Sequence, residues 1–319
     1  MGILDKVRRH GQMASGNFAA MFKDVKLPTL PEGASNLIRE VNCDEPDIQR
    51  IEQMISAMPA LSAKVLRVIN SSLYSLPNKV TSVFHAMNML GFSRIREIAM
   101  GFAVANSLPD PKSGLFDHEA FWTDSLTRSL LARSFTRRFR AGSEDEAFTS
   151  MLLADVAVPV LLSAWDDYYL PLMGQWKESP DRLSRLERQA FGWDHAQAGA
   201  WILQTWGFPD EMVAYVGTHN LGAKALADSE LDQTLAMPLS LASLAPSVLK
   251  PDERRAEKFI FMALASMSME HAELEKLLAD ARLELDEMRD LFELCTDRLF
   301  LSLDTLDQAL ARCPKEVNA

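Results

Sequence analysis

The sequence predicts an all-α protein, and three observations lead to that prediction. Apolar residues recur along most of the chain at the three- and four-residue spacing of one helix face. No set of segments shows the alternation of apolar and polar residues that half-buried strands need. Prolines, glycines and short polar capping residues divide the periodic segments into lengths suited to single helices.

The first third of the chain predicts a short helical segment and then a front part of five helices. Residues 1–26 form an amphipathic N-terminal segment, expected to be a helix that packs on the body of the protein rather than on a membrane. Pro59 falls in a first helical turn, where its missing N–H costs little. Ser82 and Ser93 are predicted N-caps. The five helices are predicted at 34–41, 47–57, 59–70, 82–90 and 93–107.

A linker and a central helical part follow. The stretch LPDPKSG (108–114) has two prolines, a glycine and no periodicity, which marks it as the strongest internal linker candidate. The central part covers 115–221. Its helices are predicted at 117–140, 144–164, 181–190, 194–206 and 209–218, with a stretch rich in Trp and Tyr at 165–176.

The remainder, 222–319, predicts an acidic helical extension with segments near 229–248, 252–268, 270–290 and 292–312. From Pro251 to the end there are 16 Asp and Glu against 9 Lys and Arg, so this stretch carries most of the net charge of −11. Nucleic-acid binding relies on phosphate neutralisation by Lys and Arg, so no direct nucleic-acid contact is expected. A protein partner or a small ligand fits an acidic chain better.

The cellular compartment is predicted from what the sequence lacks. Three widely spaced cysteines, Cys43, Cys295 and Cys313, form no CxxC pair, which argues against a zinc knuckle and a disulfide scaffold. No apolar run approaches the roughly 20 residues that span a bilayer, and the first residues do not resemble a secretory signal. A reduced, cytoplasmic protein without a membrane span is therefore expected.

The stretch SMLLADVAVPVLL (150–162) carries a single charge, Asp155, among apolar residues. A carboxylate in such surroundings is costly unless a partner compensates it. Pro159 has no N–H to donate to the Asp155 carbonyl four residues earlier, which predicts a kink or a freed carbonyl beside Asp155.

Three further polar residues share apolar helix faces. Asp124 is in register with Leu131 and Phe135, seven and eleven residues on. His195 is in register with the residues after it, Gly199, Ile202 and Trp206, and His219 follows Met212, Tyr215 and Val216 at helical spacing. Asp124, Asp155, His195 and His219 are therefore predicted to point inward and form a polar cluster. The pattern alone leaves open whether that cluster holds a metal, a salt bridge or water.

A run of arginines, Arg128, Arg133, Arg137 and Arg138, lies on the predicted helix 117–140, with no acid between Ser125 and Ala141. Such a run serves either as a phosphate or cyclic-nucleotide site, as a docking face for an acidic partner, or as a solvated helix flank. The spacing favours the solvated flank. No Gly-rich phosphate loop or Ser-His-Asp signature is present.

The order of these features resembles the HDOD domains, which are HD-related output domains of bacterial signalling proteins. The stretches LPTLPEGASNLI, PALSAKVLRVINSSLYSLPNKV and LGFSRIREIAM carry the resemblance in the front part. FWTDSLTRSLLARSF and the segment from ERQAFGWDHAQ to GTHN continue it, so that it covers about residues 27–219. Met58 departs from the family pattern, which usually has Asp before that proline.

HDOD domains are similar to HD phosphohydrolases, and the resemblance implies where metal ligands would fall. The first His position falls on Asp124, and the His-Asp pair falls on Ala154–Asp155, so the histidine is missing there. The later positions are retained as His195 and His219, whereas Asn220 replaces a second histidine. Loss of two imidazoles removes most of the metal affinity, so neither a metal nor another cofactor is expected.

The resemblance therefore implies a non-catalytic regulatory protein of bacterial signal transduction that acts through protein contacts. Two alternatives stay open. One is a divergent metal-dependent phosphohydrolase that uses Asp124, Asp155, His195 and His219. The other is a sensor that binds a nucleotide second messenger in the remnant pocket or at the arginine run.

Overall fold

The computed structural model describes residues 17–21, 30–43, 45–111, 114–294 and 297–313, and throughout these ranges the secondary structure is helical, without a strand. The all-α prediction is confirmed. The predicted segment 1–26 lies largely outside the described residues; within it one helical turn, α1 (Phe18–Met21), is described.

The described residues form eighteen α-helices, counting α1. Five of them make up the front part, as predicted. The front helices are α2 (Glu32–Val41), α3 (Ile48–Ser56), α4 (Pro59–Ile69), α5 (Val83–Leu90) and α6 (Phe92–Ala105). The central helices are α7 (His118–Phe139), α8 (Glu144–Leu152), α9 (Ala157–Ala164), α10 (Asp166–Glu178), α11 (Leu183–Phe191), α12 (His195–Thr205) and α13 (Asp210–Thr218). The extension holds α14 (Ala223–Asp228), α15 (Ala236–Ala242), α16 (Glu253–Phe261) with a π-helical turn Met262–Ser266, α17 (His271–Met288) with a 3₁₀ turn Arg289–Leu291, and α18 (Leu301–Arg312).

Of the two predicted N-caps in the front part, one is correct and one is not. Ser82 accepts a hydrogen bond from the backbone N–H of His85, which confirms it as the N-cap of α5. The predicted cap Ser93 is wrong, because α6 begins one residue earlier, at Phe92, behind Gly91. Gly91 also ends α5 and has a φ of 89°. Because glycine has no Cβ, it adopts this φ without strain, and the chain turns sharply between the two helices.

The predicted helix 144–164 is two helices, α8 and α9, separated by a turn at 153–156. The kink predicted from Pro159 is confirmed. The Asp155 carbonyl accepts a hydrogen bond from the N–H of Val158 at 2.9 Å, in place of the bond that proline cannot make. Asp155 consequently lies in a turn, where its side chain is free of helical register.

The same stretch also corrects the expectation that no apolar run reaches membrane length. Glu144–Ala164 spans 21 residues and contains a window of mean hydropathy 1.8, so by length and composition it qualifies. However, 83% of that window is buried inside the protein, which is typical of core helices.

The extension packs against the rest of the molecule. Its helices α15 and α17 contact α7, and Phe292 stacks on Trp122 at a centroid distance of 4.8 Å. Buried residues of the front part, the central part and the extension form one continuous apolar core. A second cluster lies around α9, α10 and α12. The domain boundaries drawn from the sequence stay predictions.

Candidate functional site

Three of the four predicted inward residues meet at one point, where several helices begin or end. Asp155 lies in the turn between α8 and α9, His195 is the first residue of α12, and His219 follows α13. Asp155 Oδ1 is 3.1 Å from His195 Nε2 and 3.4 Å from His219 Nε2. The ends of separate helices therefore place one carboxylate between two imidazoles.

His195 is held from its other side by Glu187, a residue that the sequence analysis did not single out. Glu187 is fully buried on α11, accepts the Nδ1 contact of His195 at 2.6 Å and also accepts from the His195 backbone N–H at 3.0 Å. The Tyr169 hydroxyl donates a hydrogen bond to the other carboxylate oxygen of Glu187, Oε1. Burial opposes a charged ring, but the Glu187 and Asp155 carboxylates raise the pKa of His195 well above its usual value.

His219 is fixed from its Nδ1 side by the backbone. Its Nδ1 lies 2.7 Å from the Val216 carbonyl oxygen, which can only accept, so Nδ1 carries the proton and donates. Nε2 consequently faces Asp155. Asn220, next in sequence, places its amide nitrogen 2.9 Å from His195 Nε2.

Arg128 binds the other side of Asp155. Its Nη1 is 2.9 Å from Asp155 Oδ2, while its Nη2 is 3.8 Å from Asp124 Oδ2. Burial would raise the pKa of Asp155, but hydrogen bonds from His195 and His219 and the charge of Arg128 bring it well below its usual value. Asp155 is thus an ionised carboxylate with a cationic or imidazole partner at each oxygen.

Asp124, the fourth predicted member, lies apart from the two histidines. Its Oδ1 accepts from the backbone N–H of Val248 at 2.9 Å. Burial raises the pKa of Asp124, against the opposing effects of Arg128 and of hydrogen bonds from Ser247 and Val248. Arg128 therefore connects Asp124 to Asp155.

The other three predicted arginines lie elsewhere and have acidic partners. Arg137 contacts Glu144 at 2.9 Å, and Arg133 contacts the same carboxylate at 3.5 Å. Arg138 contacts Glu273 of the extension at 3.2 Å. The arginine run does not converge on one site.

The donor atoms of Asp155, His195 and His219 all lie within 4.8 Å of one another, so in type and spacing they fit a single divalent metal ion. Both imidazoles have Nδ1 held by an acceptor, which is how metal-binding histidines are oriented. Asp124 is outside this set. A metal would supply charge to activate a water or a phosphate oxygen, and it would require His195 without a proton on Nε2.

A cavity of about 90 Å³ adjoins these residues. Two arginines that sequence reasoning missed line it, Arg182 just before α11 and Arg255 on α16. Arg182 precedes its helix and therefore belongs to no periodic face, and Arg255 lies beside Arg254 in a helix that carries charges of both signs. No local pattern identified either.

The extension contributes to the cavity beyond Arg255. Ser243, Ser247 and Leu249 also line it. The segment from Ser243 to Val248 presents carbonyl oxygens to the guanidinium groups and one N–H to Asp124. The site is therefore built from the central part and the extension together.

The chain is similar to a known domain family. The sequence model of the HDOD domain matches residues 27–221. No curated protein matches the chain significantly.

Several solved structures share the fold. A Shewanella amazonensis protein named "Putative phosphohydrolase" is 19% identical with a TM-score of 0.59, over 95% of this chain and 96% of that one. An HDOD domain protein with unknown function from Geobacter sulfurreducens is 16% identical with a TM-score of 0.58, over 93% and 94%. A Marinobacter aquaeolei protein named "Putative signal transduction protein" is 20% identical with a TM-score of 0.56, over 95% and 67%. The coverage shows that the fold, including the extension, recurs in these proteins.

Proposed function

The chain belongs to the HDOD domain family, and from this we propose that it is a non-catalytic regulatory protein of bacterial signal transduction, acting in the cytoplasm by binding a protein partner. The observation that carries the proposal is the Arg128 guanidinium on Asp155, at 2.9 Å.

The physical argument concerns the charge that the site needs. In metal-dependent phosphohydrolysis an ion lowers the pKa of bound water and polarises the phosphate. Here the Asp155 carboxylate already has Arg128 on one oxygen and His195 on the other. A guanidinium neutralises a carboxylate but has no open coordination position for water. Asp124 and Ala154, at the positions where the resemblance to HD phosphohydrolases implies histidines, supply no imidazole.

The surface of the front part supports a role in protein binding. Phe84 and Met89 on α5 are 62% and 41% exposed, whereas most large apolar residues of the described chain are buried. We take these two exposed apolar residues of α5 as the proposed contact with the partner.

The first test is metal content and turnover of the purified full-length protein. We expect no stoichiometric iron, manganese or zinc by elemental analysis and no release of p-nitrophenolate from bis(p-nitrophenyl) phosphate. One metal ion per chain, lost in His195→Ala and His219→Ala variants and accompanied by turnover, would overturn the proposal.

The second test is capture of partners from the native cell. A double variant Phe84→Ser, Met89→Ser is expected to lose a partner that the wild type retains. Leu283→Ser is the matched control, because Leu283 on α17 is also exposed, at 65%. Equal capture by all three proteins would contradict a contact through α5.

A second candidate function, a divergent metal-dependent phosphohydrolase, is favoured by one observation. The donor atoms of Asp155, His195 and His219 are close enough for one ion, and both imidazoles have the orienting partner that metal ligands use. The metal analysis above separates the two functions directly.

A further inference from the structure

We propose that the cavity beside Asp155 binds a singly charged oxyanion of phosphodiester type attached to an apolar or aromatic group, with Arg182 and Arg255 as its principal contacts. Both arginines line the cavity together with Arg128. The inference concerns binding and does not rest on the proposed function.

The first observation is that these two guanidinium groups have only uncharged partners. Arg182 donates to the Asn220 side-chain oxygen at 2.9 Å and to Ser243 Oγ at 3.1 Å. Arg255 donates to the carbonyl oxygens of Leu244 at 2.9 Å and Ser243 at 2.5 Å. Within the part of the chain that the structure describes, neither forms an ion pair with a carboxylate. Both side chains are half-buried. Charges partly withdrawn from water without a counter-charge are costly, so an anion from solution would stabilise them.

The second observation is that like charges are brought together. Arg182 and Arg255 both donate to the same carbonyl oxygen, that of Ser243, so their guanidinium groups are neighbours. Burial and the nearby Arg128 lower the pKa of Arg182 to about 10. Nε of Arg128 is buried without a hydrogen-bond partner among the described residues. Each of these features is relieved by a bound anion.

The balance of charge indicates how much negative charge the ligand carries. Three guanidinium groups face two carboxylates, Asp124 and Asp155, and both of these carboxylates contact Arg128. One positive charge remains. A phosphodiester carries one negative charge, and its oxygens match the planar fork of a guanidinium.

The rest of the ligand is inferred from the other residues lining the cavity. Apolar and aromatic side chains make up much of the remaining wall, among them Phe116, Phe121, Met173, Trp176 and Leu249. The space open to the centres of water-sized spheres is about 90 Å³, several times what a single buried water needs, which leaves room for the oxyanion and the first atoms of its substituent. Ligand sites typically combine such walls with a few fixed polar groups.

The cavity also joins two parts of the chain. Arg128 and Arg182 belong to the region matched by the family, whereas Arg255 and Ser243 belong to the extension. A ligand held by all three arginines would therefore tie the extension to the central part.

The experiment is isothermal titration calorimetry of the full-length protein with bis(p-nitrophenyl) phosphate and with cyclic AMP. Adenosine serves as the uncharged counterpart of cyclic AMP. We expect both phosphodiesters to bind, adenosine to bind at least tenfold more weakly, and Arg182→Gln and Arg255→Gln to weaken phosphodiester binding at least tenfold. Arg254→Gln is the matched control, because Arg254 is exposed and adjacent in sequence, and its affinity should stay within about twofold of the wild type.

Circular dichroism checks that each variant is folded. Should Arg255→Gln unfold, Arg182→Gln and the charge-conserving Arg182→Lys decide, with the lysine variant expected to bind more tightly than the glutamine variant. Unchanged affinity in the folded variants, or absence of binding by both phosphodiesters, would overturn the inference. Release of p-nitrophenolate would contradict the proposed function while leaving the binding site intact, so the two failures are distinguishable.

Discussion

Asp155 is a largely buried carboxylate, with 17% of its side chain exposed, and its two oxygens have different partners. Oδ1 faces His195 and His219, and Oδ2 accepts from Arg128. A buried charge with good partners adds little by itself, but removing it leaves the opposite charges uncompensated. Asp155 therefore contributes to stability mainly by neutralising the charge of Arg128 and of the His195 ring.

We expect Asp155→Asn to lower the free energy of unfolding by about 3 kcal/mol or more, because Arg128 and the His195 ring lose their shared counter-charge. Urea denaturation measures the change. Asp228→Asn is the control, since Asp228 is exposed at the end of α14, and about 0.5 kcal/mol or less is expected there. A loss below about 1 kcal/mol in Asp155→Asn would contradict this account.

Glu97 gives a second residue-scale prediction, on pH. It is 6% exposed, and burial raises its pKa from 4.5 to about 7, although Ser143 donates to it at 3.0 Å. Between those two pH values the folded protein holds a proton that the unfolded chain releases, so this residue makes stability fall as pH rises. The difference corresponds to about 3 kcal/mol.

Glu97→Gln should therefore remove that part of the pH dependence. Unfolding free energies of the wild type and the variant, measured by denaturant titration from pH 4.5 to 7.5, are expected to diverge in favour of the variant as pH rises. Parallel pH profiles for the two proteins would show that Glu97 has no raised pKa.

At the scale of the element, the start of α12 determines where the His195 ring lies. Asp194 caps this helix: its Oδ1 accepts from the N–H groups of Ala196 and Gln197, and the Gln197 side chain accepts from the Asp194 N–H. This capping box fixes the first turn, and His195 is its first residue. The turn at 153–156, which Pro159 favours, presents Asp155 to it.

We expect Asp194→Ala to cost about 1–2 kcal/mol, because two N–H groups lose their acceptor and Arg188 loses its ion pair at 2.6 Å. Thermal unfolding gives the measurement. Asp210→Ala, at the first position of α13, has no capping bond and should cost only a few tenths of a kcal/mol through the helix dipole. Equal losses at the two positions would argue against a capping role.

At the scale of the whole molecule, the extension and the preceding helices share a core. Phe292 is 8% exposed, stacks on Trp122 of α7 and lies 5.5 Å from the Phe102 ring of α6. One residue of the extension thus contacts both the front and the central part. The cavity between central part and extension depends on this packing.

Phe292→Ala is expected to lower the free energy of unfolding by about 3–5 kcal/mol, through lost burial and the space it leaves. Leu283→Ala, at a position 65% exposed, should change it by less than about 1 kcal/mol. Two separate unfolding transitions in the wild type, with only the first sensitive to Phe292→Ala, would show that the extension is an independent unit.

The sequence by itself determined the helical class, the five front helices, the break beside Asp155 and the inward direction of Asp155, His195 and His219. These depend on periodicity and on proline, which act over a few residues and are visible in the printed chain. The start of α6 differs from the predicted cap Ser93 by one residue, and 144–164 looks continuous in sequence because no glycine marks the turn at 153–156.

Only the tertiary structure decided what surrounds those residues. Glu187 behind His195 comes from the preceding helix. Arg128 between two aspartates, and Arg182 and Arg255 at the cavity, come from segments far apart in the chain. Apolar spacing tells which way a side chain points, but a charged partner is chosen by the packing of distant elements. The direction of a residue is thus a local property, whereas its electrostatic surroundings are set by the fold as a whole.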